Sequence, residues 1–162
     1  KKAMEVLERL RRSDKYFRYA EREIEKIKIL LDDEVDSEKL DKIIALDVGE
    51  DPEILIYMLN AIKEKVSDCR LFERIAYEKI RCIKMTRTNE LFIQEANTFL
   101  EAYSDSPYRK DLVFDILEKY QQTGLYPEAL KTAAILADII EDSDEYEKLK
   151  KIIDKIQAKL GR

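Results

Sequence analysis

Residues 118–140, EKYQQTGLYPEALKTAAILADII, place Gly124 and Pro127 three positions apart between two apolar runs, in a chain with only three residues of each type. Helix interiors exclude both residues, proline because it removes a backbone donor and glycine because it costs backbone entropy. A chain that otherwise avoids the pair and then sets them side by side marks a turn between two helices. The remaining four serve as the same punctuation. Asp51-Pro52, Ser106-Pro107 and Tyr126-Pro127 each put proline at a first helical position, where its missing N–H costs nothing. Gly49, Gly124 and Gly161 each follow an apolar run and read as helix stops. Ser37, Asp68, Asn89 and Ser143 supply side chains that accept from the orphan N–H groups of a helix start.

Between these marks the apolar spacing predicts helices over 2–31, 37–47, 52–67, 69–87, 90–103, 107–123, 126–141 and 143–160, with no strand. The last carries a clean stripe of Tyr146, Leu149, Ile153, Ile156 and Leu160. Connections this short force consecutive helices to lie antiparallel. The first predicted helix differs, because Ala3, Leu10, Phe17, Ile24 and Leu31 recur every seven residues. Val6, Ala20 and Ile27 partly fill a second row that Ser13 interrupts. Such a seam fits a coiled coil joining two copies through residues 1–31, or a long helix lying along its own domain.

Composition agrees with a nearly all-helical chain: 40% charged and 45% hydrophobic over 162 residues. A formal net charge of −5 argues against nucleic acid, which needs clustered positive potential. No apolar run approaches the ~20 residues of a membrane span. Cys69 and Cys82 would project from opposite sides of one helix and read as ordinary core or surface residues.

Chemistry is sparse. With no histidine there is no Ser-His-Asp or Cys-His arrangement, and no glycine-rich phosphate loop or Cys-x-x-Cys pair is present. The acidic groups Asp32, Asp33, Glu34 and Asp36, and Glu141, Asp142, Asp144, Glu145 and Glu147, sit at predicted helix starts, where negative charge complements the helix dipole. No catalytic residue, metal site or cofactor is expected.

A shift of 34 residues aligns Cys82 with Ile116, Ile83 with Leu117, Leu91 with Leu125, Phe92 with Tyr126 and Ala96 with Leu130. That period, with Tyr120, Gly124, Tyr126 and Ala129 around one turn, resembles the tetratricopeptide-repeat family. The stretch FLEAYSDSPY, Phe99 to Tyr108, is similar to the repeat junctions of bacterial cell-envelope members, outer-membrane assembly lipoproteins and periplasmic coordinator proteins. The sequence departs from the pattern at Ala133, Leu136, Glu141 and Thr86.

The resemblance implies an all-α solenoid of antiparallel helix pairs. Its expected divisions are a long N-terminal helix at 1–36, a divergent helical pair at 37–68, and repeats with a terminal capping helix at 69–162. It implies a scaffold or adaptor that binds another protein or peptide, in a bacterial cell-envelope complex, with the compartment itself left open; the alternative is an oligomerisation module driven by the N-terminal helix. In this family successive first helices line a groove. Arg70, Arg74, Tyr77, Arg81 and Lys84 share one face of the helix at 69–87, opposite Phe72, Ile75, Cys82 and Ile83. One unit later come Asp111, Phe114, Asp115, Glu118 and Gln121. The expected partner-binding set is Tyr77, Arg81, Lys84, Phe114, Glu118 and Gln121, with the aromatics as anchors. The charges have a simpler use, Arg81 pairing with Asp115 and Lys84 with Glu118.

Overall fold

The structure, a computed structural model, describes residues 1–13, 15–46 and 51–161. Among these the chain is all helical: α1 (Lys2–Arg11), α2 (Phe17–Leu31), α3 (Ser37–Leu46), α4 (Pro52–Lys63), α5 (Cys69–Thr86), α6 (Asn89–Ala102), α7 (Arg109–Gln122), α8 (Tyr126–Ile139) and α9 (Ser143–Lys159). The predicted stop at Gly49 lies outside the described residues. The chain divides into two compact units, Lys1–Thr86 and Arg87–Arg162. The division falls after residue 86, and α5 packs on α4 within the first unit.

In the first unit α1 packs on α2, α2 on α3 and α4, and α4 on α5. Val35, Leu40, Ile43, Leu59, Ile62 and Ile75 form its buried centre. The long helix expected over residues 1–31 is broken. The amides of Arg12 and Ser13 reach back only three residues, to the carbonyls of Arg9 and Leu10, and the Tyr16 amide donates to the Ser13 carbonyl before α2 begins. The cause is the polar run from Arg11 to Lys15, which offers nothing to bury, so folding back onto α2 covers more apolar surface than continuing straight. The heptad row is split between two helices, with Ile24 buried while Phe17 and Leu31 stand 42% and 72% exposed. It is therefore not the single seam that the coiled-coil alternative requires.

Lys65 ties the loops of this unit together. Its ammonium donates to the carbonyls of Leu30 and Asp32 at 2.6 and 2.9 Å, satisfying acceptors that the end of α2 leaves without helical partners. The Val35 amide donates back to the Lys65 carbonyl at 3.0 Å, and Ser67 donates to Glu34 at 2.9 Å.

In the second unit α7 packs on α6 and α8, and α8 on α9. The turn after α7 has the geometry that the opening stretch predicts. Gly124 has φ +73°, its amide donates to the Gln121 carbonyl, and the Leu125 amide donates to the Tyr120 carbonyl at 2.9 Å. These are the paired bonds of a Schellman stop, which needs a left-handed residue at the position Gly124 occupies. The chain then reverses within three residues and α8 lies antiparallel on α7. Ala129 and Ala133 are fully buried in the core with Leu117, Leu136 and Leu149. A side chain no larger than a methyl at both positions lets the two backbones approach.

The inward positions of α6 and α8 repeat at a different interval from the one the sequence suggested. Phe92, Ala96 and Phe99 are buried at the same places along α6 as Ala129, Ala133 and Leu136 along α8, a spacing of 37 rather than 34. The six-residue junction from Tyr103 to Tyr108 separates α6 from α7, whereas three residues separate α7 from α8. Pro107 lies in this junction and not at a first helical position. Ser106 organises the turn, its hydroxyl accepting from the Tyr108 amide at 3.1 Å.

The helix caps fall one residue before three of those predicted. Asp36, Thr88 and Asp142 accept from the amides of Lys39, Leu91 and Asp144, leaving Ser37, Asn89 and Ser143 as the first helical residues. Asp68 caps as expected, accepting from the Arg70 amide at 2.9 Å. Cys82 is buried and Cys69 exposed, both as free thiols.

Candidate functional site

The expected partner-binding residues lie on two helices, one in each unit. Tyr77, Arg81 and Lys84 belong to α5; Phe114, Glu118 and Gln121 belong to α7.

On α5 the basic face is largely engaged with neighbouring acids. Arg70 pairs with Asp68 at 3.0 Å, Arg74 with Asp41 of α3, and Arg81 with Glu78 at 3.0 Å. The Asp68 carboxyl is held below its ordinary pKa, first by the Arg70 side chain and then by the Arg70 amide. Glu78, which the sequence did not single out, is buried to 8% exposure and lies three residues before Arg81 on the same helix. This pairing orients Arg81 along α5, and Tyr77 and Lys84 are each partly covered.

On α7 the division of faces is clean. Leu112, Val113, Ile116 and Leu117 point inward and are buried. Asp111, Phe114, Glu118 and Gln121 follow at spacings of three and four, so they share the opposite face. Phe114 is 42% exposed despite its large apolar ring. Beside it a cleft of about 270 Å³ opens between α7, the end of α8, and α9, lined by Phe114, Leu136, Ile140, Lys110, Asp111 and Lys148. Leu136 forms a fully buried apolar floor.

The cleft is held open by local structure. Asp142 accepts from the amides of Asp144 and Glu145 at 2.8 and 3.0 Å, which begins α9 directly after α8 ends. These amide donors hold the Asp142 carboxyl below its ordinary pKa. The first turn of α9 presents Glu145 to the Lys110 ammonium, which donates to both carboxylate oxygens at 3.0 Å. That contact raises the Lys110 pKa. Partly exposed ion pairs of this kind orient side chains more than they stabilise folds.

An apolar floor, one accessible aromatic ring and a rim of both charge signs suit an apolar side chain of a peptide whose flanks are polar. Sequence reasoning found Phe114 but missed Lys110, Leu136, Ile140 and Lys148. Among the described residues no helix is long and apolar enough to cross a membrane. In comparisons with protein-family models, curated proteins and solved structures, nothing matched this chain.

Proposed function

We propose that this chain is a non-catalytic scaffold or adaptor that binds another protein through a tetratricopeptide-like groove, its helix pairs forming an α-solenoid. The observation that carries the proposal is Phe114, held 42% exposed at the mouth of an apolar-floored cleft. A buried aromatic anchor typically dominates the energy of such an interface, with rim charges setting encounter rate and register. Supporting the family assignment are the Schellman stop at Gly124 and the buried alanine at 129, which make α7 and α8 a close antiparallel pair. The sequence junction from Phe99 to Tyr108 extends the proposal to assembly of a bacterial cell-envelope complex.

Glu118 and Gln121 continue the Phe114 face along α7 and are proposed to hold the partner's backbone or polar flank. Tyr77, Arg81 and Lys84 are proposed as a further contact surface on α5, with Tyr77 the anchor. Affinity capture from the source cell tests the reading. The intact chain should retain a protein partner that a Phe114→Ala bait loses. Equal recovery by both baits would contradict it.

A further inference from the structure

The N-terminal hairpin carries a surface that the α7 cleft does not explain. Residues 9–22 hold Arg9, Arg11, Arg12, Lys15, Arg18 and Arg22 against only Asp14 and Glu21, in a chain whose net charge is negative. A groove of about 460 Å³ runs between α2 and the end of α3, with Arg11, Arg18, Arg22 and Lys28 on its walls and Ile24 and Leu46 at its base. Two of these cations are already directed. Arg11 pairs with Glu21 at 3.0 Å, and the Arg22 guanidinium lies 5.9 Å from the ring centre of Tyr19. Arg18 and Lys28 are exposed on the groove walls. Tyr19, the ring that Arg22 approaches, is 51% exposed.

We propose that this groove binds an acidic protein segment that carries aliphatic side chains. Arg18 and Lys28 take its carboxylates, and the base at Ile24 and Leu46 takes an aliphatic side chain, with Tyr19 closing one edge. Arginine's planar fork matches carboxylate geometry, and arginine and tyrosine are enriched where proteins bind proteins. Two observations favour a peptide over a longer polyanion. Glu21 and Glu25 interrupt the positive wall that a phosphate backbone would follow. The groove base is also aliphatic, whereas nucleobases are held by stacking on aromatic rings.

The test uses the full chain and a short fluorescein-labelled peptide of glutamate with leucine at every third position, followed by anisotropy. The peptide should bind, and its glutamine counterpart should bind at least about tenfold more weakly. A double variant, Arg18→Ala with Lys28→Ala, should reduce binding by about tenfold or more while the helical circular dichroism is unchanged. Tyr19→Ala should weaken binding without altering its salt dependence. Absence of binding, or binding indifferent to the double variant, would overturn the proposal. Tighter binding of oligouridylate or of phosphatidylserine vesicles than of the peptide would assign the surface to another partner class and overturn it equally.

Discussion

Replacing Ala129 by glutamate is the sharpest perturbation of the α7–α8 pair. Ala129 is 0% exposed and sits in one core with Ala133, Leu117 and Leu136. Four added heavy atoms have no space there, and overpacking alone costs about 1–3 kcal/mol. The carboxylate would also enter an apolar site, adding roughly 1–3 kcal/mol even if it takes up a proton. The total is about 2–6 kcal/mol, reaching the high end of single-substitution effects. For a unit of this size each kcal/mol shifts Tm by about 4–8 °C, so the transition of the second unit should fall by at least ~8 °C. Ala134, five residues further along α8 but exposed, supplies the control; Ala134→Glu should stay within about 0.5 kcal/mol of the parent. Thermal unfolding followed by circular dichroism and calorimetry reads both variants. An Ala129→Glu transition equal to that of Ala134→Glu would refute the placement of Ala129 at the helix crossing.

Gly124→Ala should lower the urea midpoint by the equivalent of about 1–2 kcal/mol, because alanine must adopt φ +73° although nothing lies within 4 Å of its added methyl. Lys65→Met should cost about 1–3 kcal/mol by leaving the Leu30 and Asp32 carbonyls without their donor, measured by the same denaturation. Asp142 has a depressed folded-state pKa, so its contribution is present above the unfolded value near 3.8 and is lost as pH falls through the folded value. Stability should therefore decline below about pH 4, and Asp142→Asn, which cannot titrate, should show a shallower acid loss in melts run from pH 5 to pH 2.

What could be read from sequence depended on whether a feature was local. The stop at Gly124 and the buried Ala129 were legible because a left-handed turn and a close helix approach each admit few residue types. The different exposure of Cys69 and Cys82 agrees with their expected placement on opposite sides of one helix. The break between α1 and α2 was hidden because the heptad row from Ala3 to Leu31 continues in sequence straight through it. Periodicity counts apolar positions, whereas the polar run around Ser13 decides whether a straight helix has anything to cover. The caps slipped by one residue where two capping types stand adjacent, as in Asp36-Ser37 and Asp142-Ser143. Phe114 was visible as an aromatic on an otherwise acidic face. The cleft beside it was not, since it forms only when the cap at Asp142 turns α9 back and brings Glu145 to Lys110. The Lys65 contacts likewise join loops more than thirty residues apart, which no local pattern encodes.

The central claim, a protein partner docked at the α7 cleft, is tested most directly by placing a photo-crosslinking p-benzoylphenylalanine at position 114 of the full chain in the source cell. Position 134, exposed on α8 and outside the cleft lining, provides the comparison. A discrete crosslinked protein at 114, absent at 134 and diminished by Lys148→Glu on the cleft rim, is the predicted result. No crosslinked protein at 114, or the same protein captured equally at 134, would contradict the account.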